Sequence, residues 1–404
     1  MLMPAEHFAA RFSHRMRAFA DDEDGVWAVH DTACERHAKG ENIYLLSIGD
    51  PDLPTLPSTI EATIDSLRDG RTHYAPGRGE LRLRRVIADI EARASGRACD
   101  PDEIIIFPGA TNAIYTTLAC ITDPGDAVVV AEPMYVGYDG IFKALGIAKS
   151  VVPLDAQAGF RLDPEAVKAA VTSDTRAVLL NTPGNPAGNM IDAETLSSLA
   201  SWCRDNGLWL VCDEVYSMIT FERRHVSLRR AAAALDNVVV IDSLSKSHAM
   251  TGWRLGWTVS SLDMAERLLD FTSATVFGCC QFVQDAAAFA LTNDEAYIAD
   301  VRDEYRKRRD YLCGRIDAVE GLSCVTPEAG MFVMMDVSGS GRDGAMFARE
   351  LLDRHDISVL PGAGFGPGCG QFVRVSLCQP VEVLAPALDR MERYMNECRR
   401  AKKR

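Results

Sequence analysis

Between residues 103 and 241 the chain carries six short apolar runs: "EIIIF" (Glu103–Phe107), "AVVVA" (Ala127–Ala131), "SVVPL" (Ser150–Leu154), "AVLL" (Ala177–Leu180), "LWLVC" (Leu208–Cys212) and "VVVI" (Val238–Ile241). Each run is continuous rather than alternating, and the segments between them include helical spacing at Ala193–Asp205 and Pro164–Thr172. A strand that is apolar at every position buries both of its faces, and parallel neighbours need a long crossover, usually a helix. The pattern predicts an α/β fold around a mostly parallel sheet covered on both sides. Turn signals at Asp123-Pro124-Gly125-Asp126 and Thr182-Pro183-Gly184-Asn185-Pro186 punctuate it.

After about Arg302 the texture changes. A charged helix, "VRDEYRKRRDYLCGRI", leads to "GMFVMMDV", a helix at Ala345–Arg354, "ISVLPG" and "QFVRVSL", an α+β pattern. The expected organisation is an N-terminal arm and the start of a small domain over 1–58, a large α/β domain over 59–305, and a smaller α+β domain over 306–404. The 404 residues, 47% apolar and 25% charged, suit an ordinary globular chain of that size. A net charge of −14 gives nucleic acid no electrostatic footprint, and the basic "CRRAKKR" at Cys398–Arg404 reads as a solvated tail. No apolar run reaches the roughly 18 residues of a bilayer span, and the first residues lack a signal-peptide core. Twelve scattered cysteines, with one adjacent pair (Cys279–Cys280) and no C-x-x-C, fit reduced thiols in a cytoplasm. None of the eight histidines shows metal-ligand spacing, so no metal is expected.

In an open parallel sheet, ligands bind outside the carboxyl ends of the strands. "IIIF" is followed by Gly109-Ala110-Thr111, "VVVA" by Glu132-Pro133-Met134-Tyr135, and "AVLL" by Asn181 through Asn185. "LWLVC" is followed by Asp213-Glu214-Val215-Tyr216, and "VVVI" by Asp242-Ser243-Leu244-Ser245-Lys246. A lysine amine becomes a nucleophile toward carbonyls when desolvation or a nearby cation lowers its pKa. An aldehyde cofactor built on a pyridine ring with a phosphate would need partners of the kinds present here. Asp213 suits the ring nitrogen, Asn185 and Tyr216 the ring oxygen, and Tyr135 the ring face. Gly109, Ala110, Thr111, Ser243, Ser245 and Arg254 would cup the phosphate. Singly, each has an ordinary structural reading: Asp213 as a cap, Asn185 as turn chemistry, the tyrosines as core, Arg374 as a surface ion pair, Lys246 as a solvated cation. Their convergence on separate strand ends is what points to a cofactor.

These residues resemble the class I, fold-type I pyridoxal-phosphate aminotransferases. The matching blocks are Asn185-Pro186-Ala187-Gly188, Asp213-Glu214-Val215-Tyr216, and Ser243-Leu244-Ser245-Lys246 through Arg254-Leu255-Gly256. "GDPD" at Gly49–Asp52, "YAPGRGELRLRR" at Tyr74–Arg85 and "FVRVS" at Phe372–Ser376 complete a collinear set over roughly residues 40–400. The resemblance implies a mostly parallel seven-stranded sheet, pyridoxal 5'-phosphate as cofactor, and ping-pong transfer of an α-amino group to a 2-oxo acid. It implies Lys246 as the Schiff-base lysine and proton carrier, Arg374 as the grip on the substrate carboxylate, and Gly49 and Asn185 beside it. It implies a homodimer in which Tyr74 of the partner subunit reaches the cofactor phosphate.

Within the family, "LLSIGDPD", "THYAPGRG", "VAEPMYVGY" and "LLDRHDISVL" are similar to the arginine–pyruvate transaminases. Arginine is therefore a candidate donor and pyruvate a candidate acceptor. Asp52, Glu80 and Asp31 are candidate guanidinium contacts, each with a competing reading as a solvated or capping carboxylate. The loop Thr275–Gln281, "TVFGCCQ", departs from the polar stretch of many relatives, and an aliphatic or aromatic donor stays open. So do an oxidase or lyase on the same scaffold and a non-catalytic cofactor-sensing module. The glycines at 362, 364, 366, 368 and 370 fit no nucleotide fingerprint and read as a turn before a strand.

Overall fold

The computed structural model describes Ser13, Met16, Phe19 and residues 25–232, 236–293 and 295–402. The rest of the first 24 residues, which the sequence assigns to an arm, and the last two residues of the basic tail lie outside the described residues.

The strands are β1 (Tyr44–Leu45), β2 (Ile104–Phe107), β3 (Ala127–Glu132), β4 (Ala148–Pro153), β5 (Thr175–Asn181), β6 (Trp209–Asp213), β7 (Val238–Ser243), β8 (Gly256–Val259), β9 (Ser323–Cys324), β10 (Phe332–Asp336), β11 (Ile357–Ser358), β12 (Leu360–Pro361) and β13 (Phe372–Ser376). Seven of them form one sheet in the order β2-β8-β7-β6-β5-β3-β4. The six apolar runs are β2 to β7, parallel wherever they adjoin one another. The seventh strand, β8, is antiparallel to both β2 and β7, and its "GWTV" has no continuous apolar run to announce it.

The helices pack on both faces of this sheet. Ile105, Phe107, Val128, Val130, Leu179, Val211 and Ile241 face the layer containing helices Ala110–Ile121 and Leu262–Thr275. Val129, Val178, Leu180, Leu210, Cys212 and Val240 face the layer of helix Ala193–Asp205. Alternate residues of one strand thus feed opposite cores, and each fully buried Val, Leu, Ile or Phe contributes on the order of 1.5–3 kcal/mol. Local chemistry sets the boundaries. Asp192 accepts from Thr195 N at 2.8 Å to open helix Ala193–Asp205, as the spacing predicts. Helix Pro164–Ala169 is capped the same way by Asp163, but stops three residues short of the expected Thr172.

A second sheet, β12-β13-β10-β9, is antiparallel and pairs Met334 of β10 and Leu360 of β12 with Arg374 of β13. Its core includes Phe332, Met335, Phe347, Leu351, Val373 and Tyr394. β1 joins β11 in a short parallel pair, which carries the residues after Leu45 toward β13: Ser376 N donates to Leu46 O at 2.8 Å. Among the described residues, no helix is long and apolar enough to cross a membrane.

Candidate active site

The carboxyl ends of β2, β3, β5, β6 and β7 and the chain around Gly49 and Arg374 enclose a cavity of about 280 Å³. Gly49, Ala110, Thr111, Tyr135, Asn185, Asp213, Tyr216, Ser243, Ser245, Lys246, Arg254 and Arg374 line it. Strand register explains why such distant residues meet. Asn181 pairs with Asp213, Asp213 with Ile241, and Ser243 with Gly256, so successive strand ends finish level.

Asp213 ends β6 and is buried. Its Oδ2 accepts from Tyr138 OH at 2.6 Å, and its Oδ1 accepts from Val215 N at 3.2 Å. Burial pushes its pKa up to about 6, with Glu214 adding to the rise, while the Tyr138 and Val215 hydrogen bonds and the Lys246 charge oppose it. The carboxylate is thus short of positive charge in the protein alone, which is the condition an N–H cation opposite it would relieve.

Lys246 reaches into the cavity from the loop after β7, and its Nζ donates to Gly49 O at 2.6 Å. Desolvation lowers its pKa, and Arg374 and Arg254 push the same way, against Cys378 and Asp50. Gly49 has a steric reason: a Cβ there would lie 2.2 Å from Cζ of Phe332.

At the other end of the cavity, helix Ala110–Ile121 begins without a side-chain cap. Its free N–H groups and dipole favour an anion. Ser243 Oγ donates to Leu255 O at 2.9 Å, and Ser245 N donates back to Ser243 Oγ at 3.0 Å, which fixes this hydroxyl pair beside that terminus. Arg254 adopts a left-handed φ of 53°, and its Nη1 is tied to Thr251 O at 2.9 Å. Gly109 does not line the cavity. It shapes it, because at φ 93° a Cβ would sit 2.5 Å from Arg254 Nη2.

Arg374 is buried, with burial pulling its pKa down to about 10. Its Nη1 donates to Asn185 Oδ1 at 3.0 Å and its Nη2 to Ser47 O at 2.8 Å, while Nε has no partner among the described residues. The guanidinium lies between two rings, 3.9 Å from the Phe332 centroid and 4.9 Å from that of Phe365. A buried cation held, among the described residues, by neutral oxygens and ring faces is prepared for an anionic ligand. Asn185 Nδ2 in turn donates to Tyr216 OH at 3.4 Å.

The residues present therefore fit a phosphorylated pyridine aldehyde. An anion cradle, a buried carboxylate, an amine of lowered pKa and an aromatic (Tyr135) surround one space.

Several expectations need correction or extension. Asp52 is not free to meet a guanidinium ligand, since Arg308 takes both of its oxygens at 2.6 and 3.0 Å. Glu80 is likewise engaged, by Gln281 at 2.7 Å and Arg71 at 3.2 Å. Asp31 is exposed on helix Ala28–Ala38 and does not line the cavity. Tyr74 is 81% exposed, set edge-on to Phe277 at 4.9 Å and away from this chain's own cavity.

The residue reading missed Trp27, Ile48, Phe332 and Tyr138. Only Tyr138 left a usable signal: it follows Tyr135 by three residues, one helical turn, so both rings can face the same strand end.

Comparison with known proteins identifies the family. The family model "Aminotransferase class I and II" matches residues 41–391, and the chain belongs to this family of enzymes. It is 40% identical over 381 residues, 94% of its length and 97% of the relative's, to an arginine–pyruvate transaminase of Pseudomonas aeruginosa. It is 30% identical over 391 residues, 95% and 98% of the two chains, to an aspartate aminotransferase of Musicola paradisiaca. A solved Thermus thermophilus aspartate aminotransferase (a single mutant) superposes with a TM-score of 0.89 at 32% identity, covering 95% of this chain and 99% of that one. The fold is the type I aminotransferase fold, with the seven-stranded, mostly parallel sheet expected.

Proposed function

We propose that the chain transfers the α-amino group of an amino acid, with arginine as the leading donor, to a 2-oxo acid such as pyruvate, using pyridoxal 5'-phosphate. The observation that carries this reading is the shared cavity: an amine of lowered pKa, a buried carboxylate and a buried arginine with no anionic partner among the described residues surround one space. The first relative described, 40% identical, is named an arginine–pyruvate transaminase, which supports that donor and acceptor.

Bound there, the cofactor supplies an aldehyde that condenses with amines and a pyridine ring that draws electrons from the substrate Cα. Lys246 Nζ is the amine that holds this aldehyde between turnovers. Once released, it would carry the proton to and from the substrate Cα, a role that a lowered pKa favours. Asp213 holds a proton on the ring nitrogen, and Tyr138 keeps Asp213 ionised and oriented. Asn185 and Tyr216 orient the ring oxygen, and Tyr135 covers the ring face. Ala110, Thr111, Ser243, Ser245 and Arg254 bind the phosphate, with Gly109 leaving room for Arg254. Arg374 binds the substrate carboxylate with its planar fork, and Gly49 and Asn185 sit against it.

The exposed Tyr74–Phe277 pair supports a homodimer in which each subunit's Tyr74 completes the other's phosphate site. The presence of two main sheets supports a division into 1–58, 59–305 and 306–404, and twelve thiols without a disulfide support a cytoplasmic setting.

The test supplies donor to the cofactor-loaded enzyme without acceptor. One equivalent of 2-oxo acid per site, with turnover resuming on adding pyruvate, is expected. Sustained release of ammonia or peroxide without acceptor would reject transfer in favour of a lyase or oxidase.

A further inference from the structure

We infer that Trp27 sets donor specificity in this site: its indole face is the wall on which the donor's planar guanidinium stacks. The inference rests on the aminotransferase reading above.

Trp27 lines the same cavity as Lys246 and Arg374, with Ile48 and Phe332 as the other non-polar walls contributed from outside the large sheet. Among the described residues, Asp213 is the single carboxylate that lines this cavity, and it lies against Tyr138 at the end of β6. Asp52 and Glu80 are spent on arginines elsewhere. Among the described residues that line the cavity, a cationic side chain therefore meets no carboxylate besides Asp213. A ring face is what remains, and tryptophan provides the strongest cation–π surface of the aromatic side chains.

The position of Trp27 is held from two sides. A Cβ on Gly364 would lie 2.1 Å from Cγ2 and 2.5 Å from Cβ of Val26, so the glycine leaves the space into which Val26 packs. Gly364 is not among the glycines with a left-handed φ, so its value here is the missing side chain. This gives Gly364, within the glycine-rich stretch 362–370, a use: it leaves the space that seats the segment bearing Trp27. On the other side, the indole meets the His30 ring edge-on at 5.7 Å. His30 Nδ1 lies 2.8 Å from Ser47 Oγ, and Ser47 O accepts from Arg374 Nη2 at 2.8 Å. Phe365, next to Gly364, lies under the same guanidinium at 4.9 Å. The carboxylate grip and the side-chain wall are thus tied to the same two segments, around Ser47 and around Gly364. A donor fixed by its carboxylate meets a wall whose place is set relative to that grip.

The experiment uses the cofactor-loaded enzyme and compares wild type with Trp27→Ala, Trp27→Phe, Gly364→Ala and the double variant Gly364→Ala/Val26→Ala. Two quantities are read: the ratio of kcat/KM for arginine to that for alanine with pyruvate, and calorimetric Kd values for 5-guanidinopentanoate and pentanoate. Trp27→Ala is expected to lower the arginine-to-alanine ratio by about 3- to 30-fold, the range of a partly to fully desolvated cation–π contact, with a matching loss of the guanidino preference in binding. Trp27→Phe retains a ring face and part of the preference. Gly364→Ala is expected to reproduce the defect with the indole in place, and adding Val26→Ala to restore it. The inference is overturned if wild type binds both carboxylates equally, if the ratio survives Trp27→Ala, if Trp27→Phe behaves as Trp27→Ala, or if Gly364→Ala leaves the ratio intact. Those outcomes leave transamination of other donors standing. Acceptor-independent turnover in the wild type would instead remove the functional reading itself.

Discussion

Tyr138→Phe removes one oxygen from a fully enclosed ring and with it the 2.6 Å hydrogen bond to Asp213 Oδ2. Hydrogen bonds to charged groups contribute about 1.5–3 kcal/mol, and this one acts on the ionised form of the carboxyl. In the cofactor-free wild type, burial has already raised Asp213 from 3.8 to about 6, with Glu214 adding and the Lys246 charge subtracting. A carboxyl whose folded pKa is raised binds its proton more tightly in the folded state. Its stabilising contribution is complete below the unfolded pKa and is lost as pH rises through the folded one. The wild type should therefore lose roughly 3 kcal/mol from Asp213 between about pH 4 and pH 6. In Tyr138→Phe the folded pKa climbs further and the loss continues above pH 6. Urea unfolding of cofactor-free protein is the assay. It should find the variant about 1.5–3 kcal/mol less stable than wild type near pH 8 and nearly equal near pH 5. An equal deficit at both pH values would mean that Tyr138 merely fills space and does not hold the anion.

Lys246→Ala should cost about 10²–10⁴-fold in transamination and yield protein whose cofactor washes out on desalting; retention of bound cofactor and parental rate would refute the role of Nζ. Arg374→Lys replaces a planar fork by a point charge, and kcat/KM for amino acids should fall by roughly 10- to 150-fold, the equivalent of about 1.5–3 kcal/mol; dicarboxylate inhibitors measured alongside would show the same loss. Gly109→Ala adds a Cβ that would lie 2.5 Å from Arg254 Nη2 at a backbone φ of 93°. Weaker cofactor binding in a fluorescence titration is the expected outcome, and an unchanged Kd would show that Arg254 is free to move aside.

The chain order alone determined the large sheet and most of the site. Continuous Val/Ile runs separated by helical segments permit little besides a parallel sheet with two covered faces, and such a sheet offers its ligand the residues that follow each strand. Lys246, Asp213, Asn185, Tyr135 and the serines could be named because each stands immediately after an apolar run. β8 escaped the pattern because its neighbours β2 and β7 supply the pairing that its own "GWTV" does not advertise.

Only the folded chain decided which carboxylates are available. Asp52, Glu80 and Asp31 look alike in one dimension, yet Arg308 claims the first, Arg71 and Gln281 hold the second, and the third faces solvent. Tertiary contact also placed Tyr138 under Asp213, Phe332 under Arg374, and Trp27 in the cavity wall, its neighbour Val26 packed against a glycine more than 300 residues away in sequence. The physical reason is one of range. Strand and helix periodicity are local and repeat within a few residues, whereas a buried charge is matched by whichever side chain the packing of remote elements brings within about 3 Å.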